Sequence, residues 1–198
     1  MRIGILGGSF NPIHTGHIEL ARFVLDNLPV MDEIWLMPCY GNLLEKSNIP
    51  FPQRFEMCKI ACQGYNKIKA SDYEYELRCQ NTNELLTEFE KKYRGVITPY
   101  MIIGMDEALQ ITNWVDWKDL ISTNRFIVVD RIGFTLTENK LWFQSSPHIY
   151  LKDTYKIIPE VSSTAIRERL AKNIPNEIYL KPSVFKYIKE NKLYETTN

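Results

Sequence analysis

Short continuous apolar runs alternate along the chain with longer stretches whose apolar residues recur every three or four positions. Arg2 to Gly7 is a brief apolar run closed by glycines, which predicts a buried strand. From Gly16 to Leu28, Leu20, Ala21, Val24, Leu25 and Leu28 fall at helical spacing, and Pro29 stops that helix. Glu33 to Pro38 predicts a second strand, and residues 39–50 read as a polar loop. Pro52 opens a helix to about Gly64, with Phe55, Cys58, Ala61 and Cys62 on one face. KIKAS (67–71) and the alternating YEYEL (73–77) predict strand, the latter at a sheet edge. Asn81 followed by Glu84 predicts a capping box for a helix through Tyr93.

Further on, Thr98 to Gly104 and Arg125 to Val129 predict buried strands, with a short helical stretch carrying Trp114 and Trp117 between them. Residues 130–147 read as irregular and HIYL (148–151) as a last strand. VSSTAIRERLA (161–171) predicts a helix entered through hydroxyl residues, and Pro182 takes the first position of a final helix. No repeat, low-complexity tract or linker divides the chain, so residues 1–198 are expected to form a single domain. Helices alternating with continuously apolar strands predict an α/β fold, a doubly wound parallel sheet covered on both faces. Ligands of such sheets bind beyond the strand carboxyl ends, where strand order reverses. The segments placed there are Gly7–His17, Met37–Lys46, Gly104–Trp117 and the start of the Ser162 helix.

Composition narrows the function classes. The 198 residues hold 24 Lys+Arg against 24 Asp+Glu, a net charge of +0, which argues against a surface built for long nucleic acid. The balance is uneven along the chain: Asp72 to Glu90 has six acids and one base, and Val161 to Lys192 has seven bases and three acids. Cys39, Cys58, Cys62 and Cys79 form no C-x-x-C pair and lie away from the three histidines, so neither zinc nor a disulfide framework is expected. No stretch approaches the roughly 18 apolar residues needed to span a membrane, and no signal peptide is evident, so a soluble, cytoplasmic protein is expected.

The densest chemistry is GGSFNPIHTGH, Gly7 to His17, which joins the first strand to the first helix. Gly7 and Gly8 allow a sharp turn and a close backbone approach. His14 and His17 fall on one face at the helix start, where N–H groups and the helix dipole already favour an anion. The parts agree on one task, holding phosphate. The string is not G-x-G-x-x-G, and the second strand ends in Met37–Pro38 rather than a ribose-binding acid, which disfavours a nicotinamide-dependent dehydrogenase. Ser162, Ser163 and Thr164, with Arg167 one turn later, can form an anion clamp, or alternatively an ordinary N-cap beside a surface arginine. Asp106 closes IGMD at a strand end, where carboxylates bind ribose hydroxyls, and Trp114 follows as a stacking platform or a core residue.

These strings together resemble the nicotinate-mononucleotide adenylyltransferase family, within the larger nucleotidyltransferase group marked by a (T/H)xGH motif. The likeness spans essentially the full length: GGSFNPIHTGH, EIWLMP followed by PQRFEMCKIA, IGMD with Trp114 downstream, VSSTAIRERL and the PSVFKYIKENKLY ending all match. The resemblance implies a Rossmann-like nucleotidyltransferase fold in which residues 160–198 are a helical part completing the ATP site. It implies an enzyme that joins ATP to a pyridine mononucleotide and releases pyrophosphate, with magnesium bridging the phosphates. Residue by residue, it places His14, His17 and Arg167 in catalysis. It places Gly7, Gly8, Ser9, Phe10, Ser163, Thr164 and Lys46 around ATP, and Thr82, Asp106 and Trp114 around the mononucleotide. Lys46 stands in NLLEK where the family reads close to PPHK, and Gln80-Asn81-Thr82 replaces a Ser/Thr-Tyr-Thr run that helps recognise the pyridine carboxylate. Nicotinate mononucleotide is the expected acceptor, with nicotinamide mononucleotide or dual use as the alternative. Other nucleotidyltransferases of the fold, a class I aminoacyl-tRNA synthetase fragment and a non-catalytic nucleotide sensor are the rivals. The expected partners are the two small substrates alone, with no nucleic acid polymer and no membrane, in a monomer or homo-oligomer.

Overall fold

The computed structural model describes residues 1–40, 49–130, 141–153, 161–176 and 178–195. Its strands are β1 (Arg2–Gly8), β2 (Glu33–Pro38), β3 (Ile68–Ala70), β4 (Thr98–Gly104), β5 (Phe126–Val129) and β6 (Ile149–Leu151). They form a 6-stranded sheet in the order β3-β2-β1-β4-β5-β6, with each neighbouring pair parallel. Leu6 at the centre of β1 lies between Leu36 on one side and Ile102 on the other. Parallel neighbours need crossovers, and helices supply them. The chain winds outward from β1 to β3 and then returns to β4 on the other side of β1. The carboxyl ends of β1 and β4 therefore flank the point where strand order reverses, as expected for a doubly wound α/β sheet.

Alternating side chains divide the core in two. Leu6, Ile34, Leu36, Ile68, Ile102, Ile127 and Val129 face one side. They pack against α1 (Thr15–Asn27), α2 (Phe51–Cys62), α7 (Ser163–Ala171) and α8 (Pro182–Glu190). Ile3, Ile5, Met37, Met101, Ile103, Phe126 and Val128 face the other. There they meet α3 (Tyr73–Leu77), α4 (Thr82–Tyr93), α5 (Met105–Leu109) and α6 (Trp117–Thr123). Central strands buried on both faces explain why they read as continuous apolar runs. Gly4 lies where they crowd most: a Cβ there would sit 2.5 Å from Ile34 Cδ1 and 2.8 Å from Ile102 Cδ1.

One expectation fails. YEYEL is the helix α3, not an edge strand. Tyr73 turns into the core against Phe89 and Tyr93, while Tyr75 stacks on Phe51 with centroids 3.9 Å apart. Arg78 then ends the helix at φ 55 in the left-handed region. Five alternating residues are too few to separate a helical turn from a strand, and packing decided the outcome. The second helix buries Cys58, Ala61 and Cys62 as expected, adds Phe51, Arg54 and Met57, and leaves Phe55 only partly covered. Pro182 does open α8, and Asn81 does cap α4. Among the described residues no helix is long and apolar enough to cross a membrane.

Candidate active site

The segment after β1 is held in one shape by its own packing and by the chain's far end. Phe10 is buried at φ 46, a left-handed conformation that costs a residue with a side chain about 1–3 kcal/mol and that surrounding contacts must offset. Its ring meets His17 edge-on at 4.9 Å. His14 is the N-cap of α1, and its ring stacks on His17 with centroids 3.6 Å apart. Gly16 makes this possible, because a Cβ there would lie 3.1 Å from His14 Nδ1 and 3.0 Å from Val161 Cγ1. The His14 backbone N–H donates to His17 Nδ1 at 3.2 Å. That bond places the proton of a neutral His17 ring on Nε2, leaving it an oriented donor.

Backbone donors are fewer here than the sequence suggested. Thr15 N–H donates to Tyr179 O at 2.9 Å, and His17 N–H turns back to His14 O at 3.1 Å. The imidazoles therefore carry more of any anion binding than a bare helix N-terminus would.

α7 docks onto the same segment. Ser162 is the true N-cap, accepting from Ala165 N–H at 3.1 Å. Ser163 Oγ donates to Pro12 O at 2.9 Å. One Arg167 terminal nitrogen donates to Asn11 O at 2.7 Å and the other to Thr164 Oγ1 at 3.0 Å. Arg167 is thus no free surface cation. Two of its five N–H groups fix it to the loop after β1 and to its own helix. The structure brings together Gly7, Gly8, Ser9, Phe10, His14, His17, Ser163, Thr164 and Arg167 in this way. Gly7 also has a packing reason, since a Cβ there would meet Met101 Cε at 2.9 Å.

The other candidates stand on the opposite face of the sheet. Asp106 lies in the first turn of α5, two residues beyond the end of β4, with Glu107 accepting from Gly104 N–H at 3.1 Å. Trp114 closes the short 3-10 turn Ile111–Asn113 and packs partly buried on that face's core. Thr82 opens α4. Its neighbours are committed locally: Asn81 Oδ1 accepts from Glu84 N–H at 2.9 Å, and Glu84 accepts from Gln80 N–H at 2.6 Å. Lys46 lies outside the described residues.

One residue of the site region went unread in the sequence. Arg54 of α2 is only 2% exposed. It donates to Ser9 O at 2.7 Å and to Cys39 O at 2.9 Å, tying the end of β1 to the end of β2. Beside it, Glu74 accepts from Tyr40 N–H at 3.0 Å. Burial pushes the Glu74 carboxyl up, opposed by that N–H and by Arg54. Burial likewise pushes the Cys39 thiol up, opposed chiefly by Arg54. The only available signal was an arginine on an otherwise apolar helix face, since a buried cation needs fixed partners.

The chain is similar to known proteins over nearly its whole length. Residues 5–169 match the cytidylyltransferase-like family. The chain is 33% identical over 196 residues to "Probable nicotinate-nucleotide adenylyltransferase" of Methylacidiphilum infernorum, covering 98% of this chain and 92% of that one. It is 34% identical over 196 residues to the protein of the same name from Borrelia garinii subsp. bavariensis, covering 98% and 95%. The fold superposes with a TM-score of 0.79 on Plasmodium falciparum nicotinic acid mononucleotide adenylyltransferase complexed with NaAD, at 26% identity, covering 98% of this chain and 97% of that chain.

Proposed function

Because the chain belongs to the cytidylyltransferase-like family and, within it, to the nicotinate-nucleotide adenylyltransferases, we propose that it transfers the adenylyl group of ATP to nicotinate mononucleotide. The products are deamido-NAD and pyrophosphate, a step of NAD biosynthesis. The observation that carries this reading is the stacked His14–His17 pair at the start of α1, with Ser163 and Arg167 fixed to the same loop from the opposite side.

The chemistry explains this donor set. The nucleophile is a phosphate oxygen of the mononucleotide, anionic at neutral pH, so no general base is required. It forms a bond to the α-phosphorus of ATP while the bond to pyrophosphate breaks. The difficulty is bringing two polyanions into line and stabilising the charge on the α-phosphate and the departing pyrophosphate, which positioning and oriented donors do. His17 Nε2 and His14 act on the phosphates within the cleft, and His17 is the more critical. Gly7, Gly8, Ser9 and Phe10 line the nucleotide. Ser163, Thr164 and Arg167 hold ATP from the far side, so residues 160–198 complete the ATP site within one domain. Thr82, Asp106 and Trp114 receive the mononucleotide, Asp106 through ribose hydroxyls and Trp114 by stacking on the pyridine ring. Lys46 joins the ATP-binding set.

Magnesium fits as a companion of the substrate. Among the described residues no group of three or more His, Cys, Asp or Glu is gathered to hold a metal, and the donors around the loop suit phosphate rather than a cation. An ion bound through the ATP phosphates supplies further charge neutralisation there. We place the enzyme in the cytoplasm.

The test is pyrophosphate release from ATP and magnesium with nicotinate or nicotinamide mononucleotide as acceptor. A higher kcat/KM with nicotinate is the expected result. A strong preference for nicotinamide overturns the choice of acceptor, and nucleotide binding without pyrophosphate release overturns the enzyme reading in favour of a sensor.

A further inference from the structure

The last described turn of the chain reaches back to the phosphate loop. Leu193 is anchored in the core, with its N–H donated to Ile188 O at 3.0 Å. Tyr194 follows in the left-handed region at φ 66, and its hydroxyl donates to Asn11 Oδ1 at 2.6 Å across 183 residues of sequence. Asn11 is only 4% exposed and is gripped twice, because its carbonyl also accepts from Arg167 at 2.7 Å. It stands next to Phe10, whose ring meets His17, and three residues before His14. Burial pushes the Tyr194 phenol up despite Arg167 and Arg54 nearby, so its hydroxyl keeps the proton it donates.

We propose that Tyr194 is a positioning residue for the adenylyl-transfer step, its hydroxyl fixing Asn11 and thereby the His14–His17 pair. This rests on the phosphate-binding role given to those histidines. Tyr194 touches no substrate in this account. It acts through Asn11, on which Arg167 also closes, so one node sets both sides of the ATP cleft.

The experiment compares wild type, Tyr194→Phe, Asn11→Ala, the double variant and His17→Ala by pyrophosphate release, with kcat normalised to folded protein. Phenylalanine keeps the ring's packing and removes only the hydroxyl. We expect Tyr194→Phe to lower kcat about fivefold, the scale of one neutral hydrogen bond, with the mononucleotide KM unchanged. The double variant should then be no slower than Asn11→Ala alone, because both changes break one bond. A wild-type kcat in Tyr194→Phe beside an inactive His17→Ala overturns the inference and leaves the proposed function standing. Losses that multiply in the double variant overturn it too. Normal turnover in His17→Ala removes the phosphate role itself, and the inference falls with it.

Discussion

On one face of the sheet, α7 and α8 lie within a segment of seven bases and three acids; on the other, α3 and α4 lie within Asp72–Tyr93, a segment of six acids and three bases. The faces also differ in how their polar side chains are held. On the basic face the bonds reach across the sequence: Ser163 to Pro12, Arg167 to Asn11 and Tyr194 to Asn11. On the acidic face the bonds beside Thr82 and Asp106 close within a turn, Asn81 with Glu84, Glu84 with Gln80 and Glu107 with Gly104, while Glu74 of α3 reaches Tyr40 N–H from farther along the chain. The proposed ATP groups belong to the first face and the mononucleotide groups to the second. A zero net charge is therefore the sum of two unlike halves. The half proposed to receive the triphosphate is basic and cross-braced, and around the residues proposed to select the acceptor the side-chain bonds are short-range.

His17→Ala tests the braced half most severely. Loss of one oriented donor is expected to lower kcat by about 10²–10³ while the fold persists, measured by pyrophosphate release and circular dichroism. Near-normal turnover would separate the braced loop from the chemistry. Arg167→Ala is next. It removes a charged donor and the bond to Asn11, and kcat/KM for ATP should fall about ten- to a hundredfold. A change confined to the mononucleotide KM would move Arg167 to the other half of the site. Trp114→Ala addresses the locally held half. Losing one stacking surface should raise the mononucleotide KM about tenfold with the ATP KM unchanged, and an equal effect on both substrates would abolish the division between the faces.

Legibility in the sequence followed the same division of range. The Gly7–His17 loop was readable because its chemistry is contiguous, and the strands were readable because burial on both faces makes them apolar throughout. α3 was misread because five alternating residues fit either a helical turn or a strand. Arg54 was passed over because an arginine between apolar neighbours reads as a solvated position until Ser9 O and Cys39 O are seen to receive it. Tyr194 could not be linked to Asn11 from sequence at all, since nothing local marks a bond spanning 183 residues. Hydroxyls at the α7 start were visible, yet which one caps the helix and which reaches Pro12 depends on the docking of the two segments.

Asn81 gives the smallest effect and the sharpest contrast. It stands in the run that, by family resemblance, helps recognise the pyridine carboxylate, but its side chain accepts from Glu84 N–H and so caps α4. A cap satisfies an otherwise unpaired first-turn donor, and replacing Asn by Ala at such a position costs about 1 kcal/mol. In a chain of this size that corresponds to a melting midpoint lower by roughly 2–4 °C. If Asn81 serves the helix alone, Asn81→Ala should show that shift with the ratio of kcat/KM for nicotinate and nicotinamide mononucleotides unchanged. A variant that melts normally but loses acceptor preference would show the opposite: that the Asn81 amide leaves its cap to meet the substrate. Acceptor choice would then depend on competition between a helix terminus and a ligand for one side chain, a coupling absent from the braced half, where Ser162 caps α7 and the separate Ser163 reaches the loop.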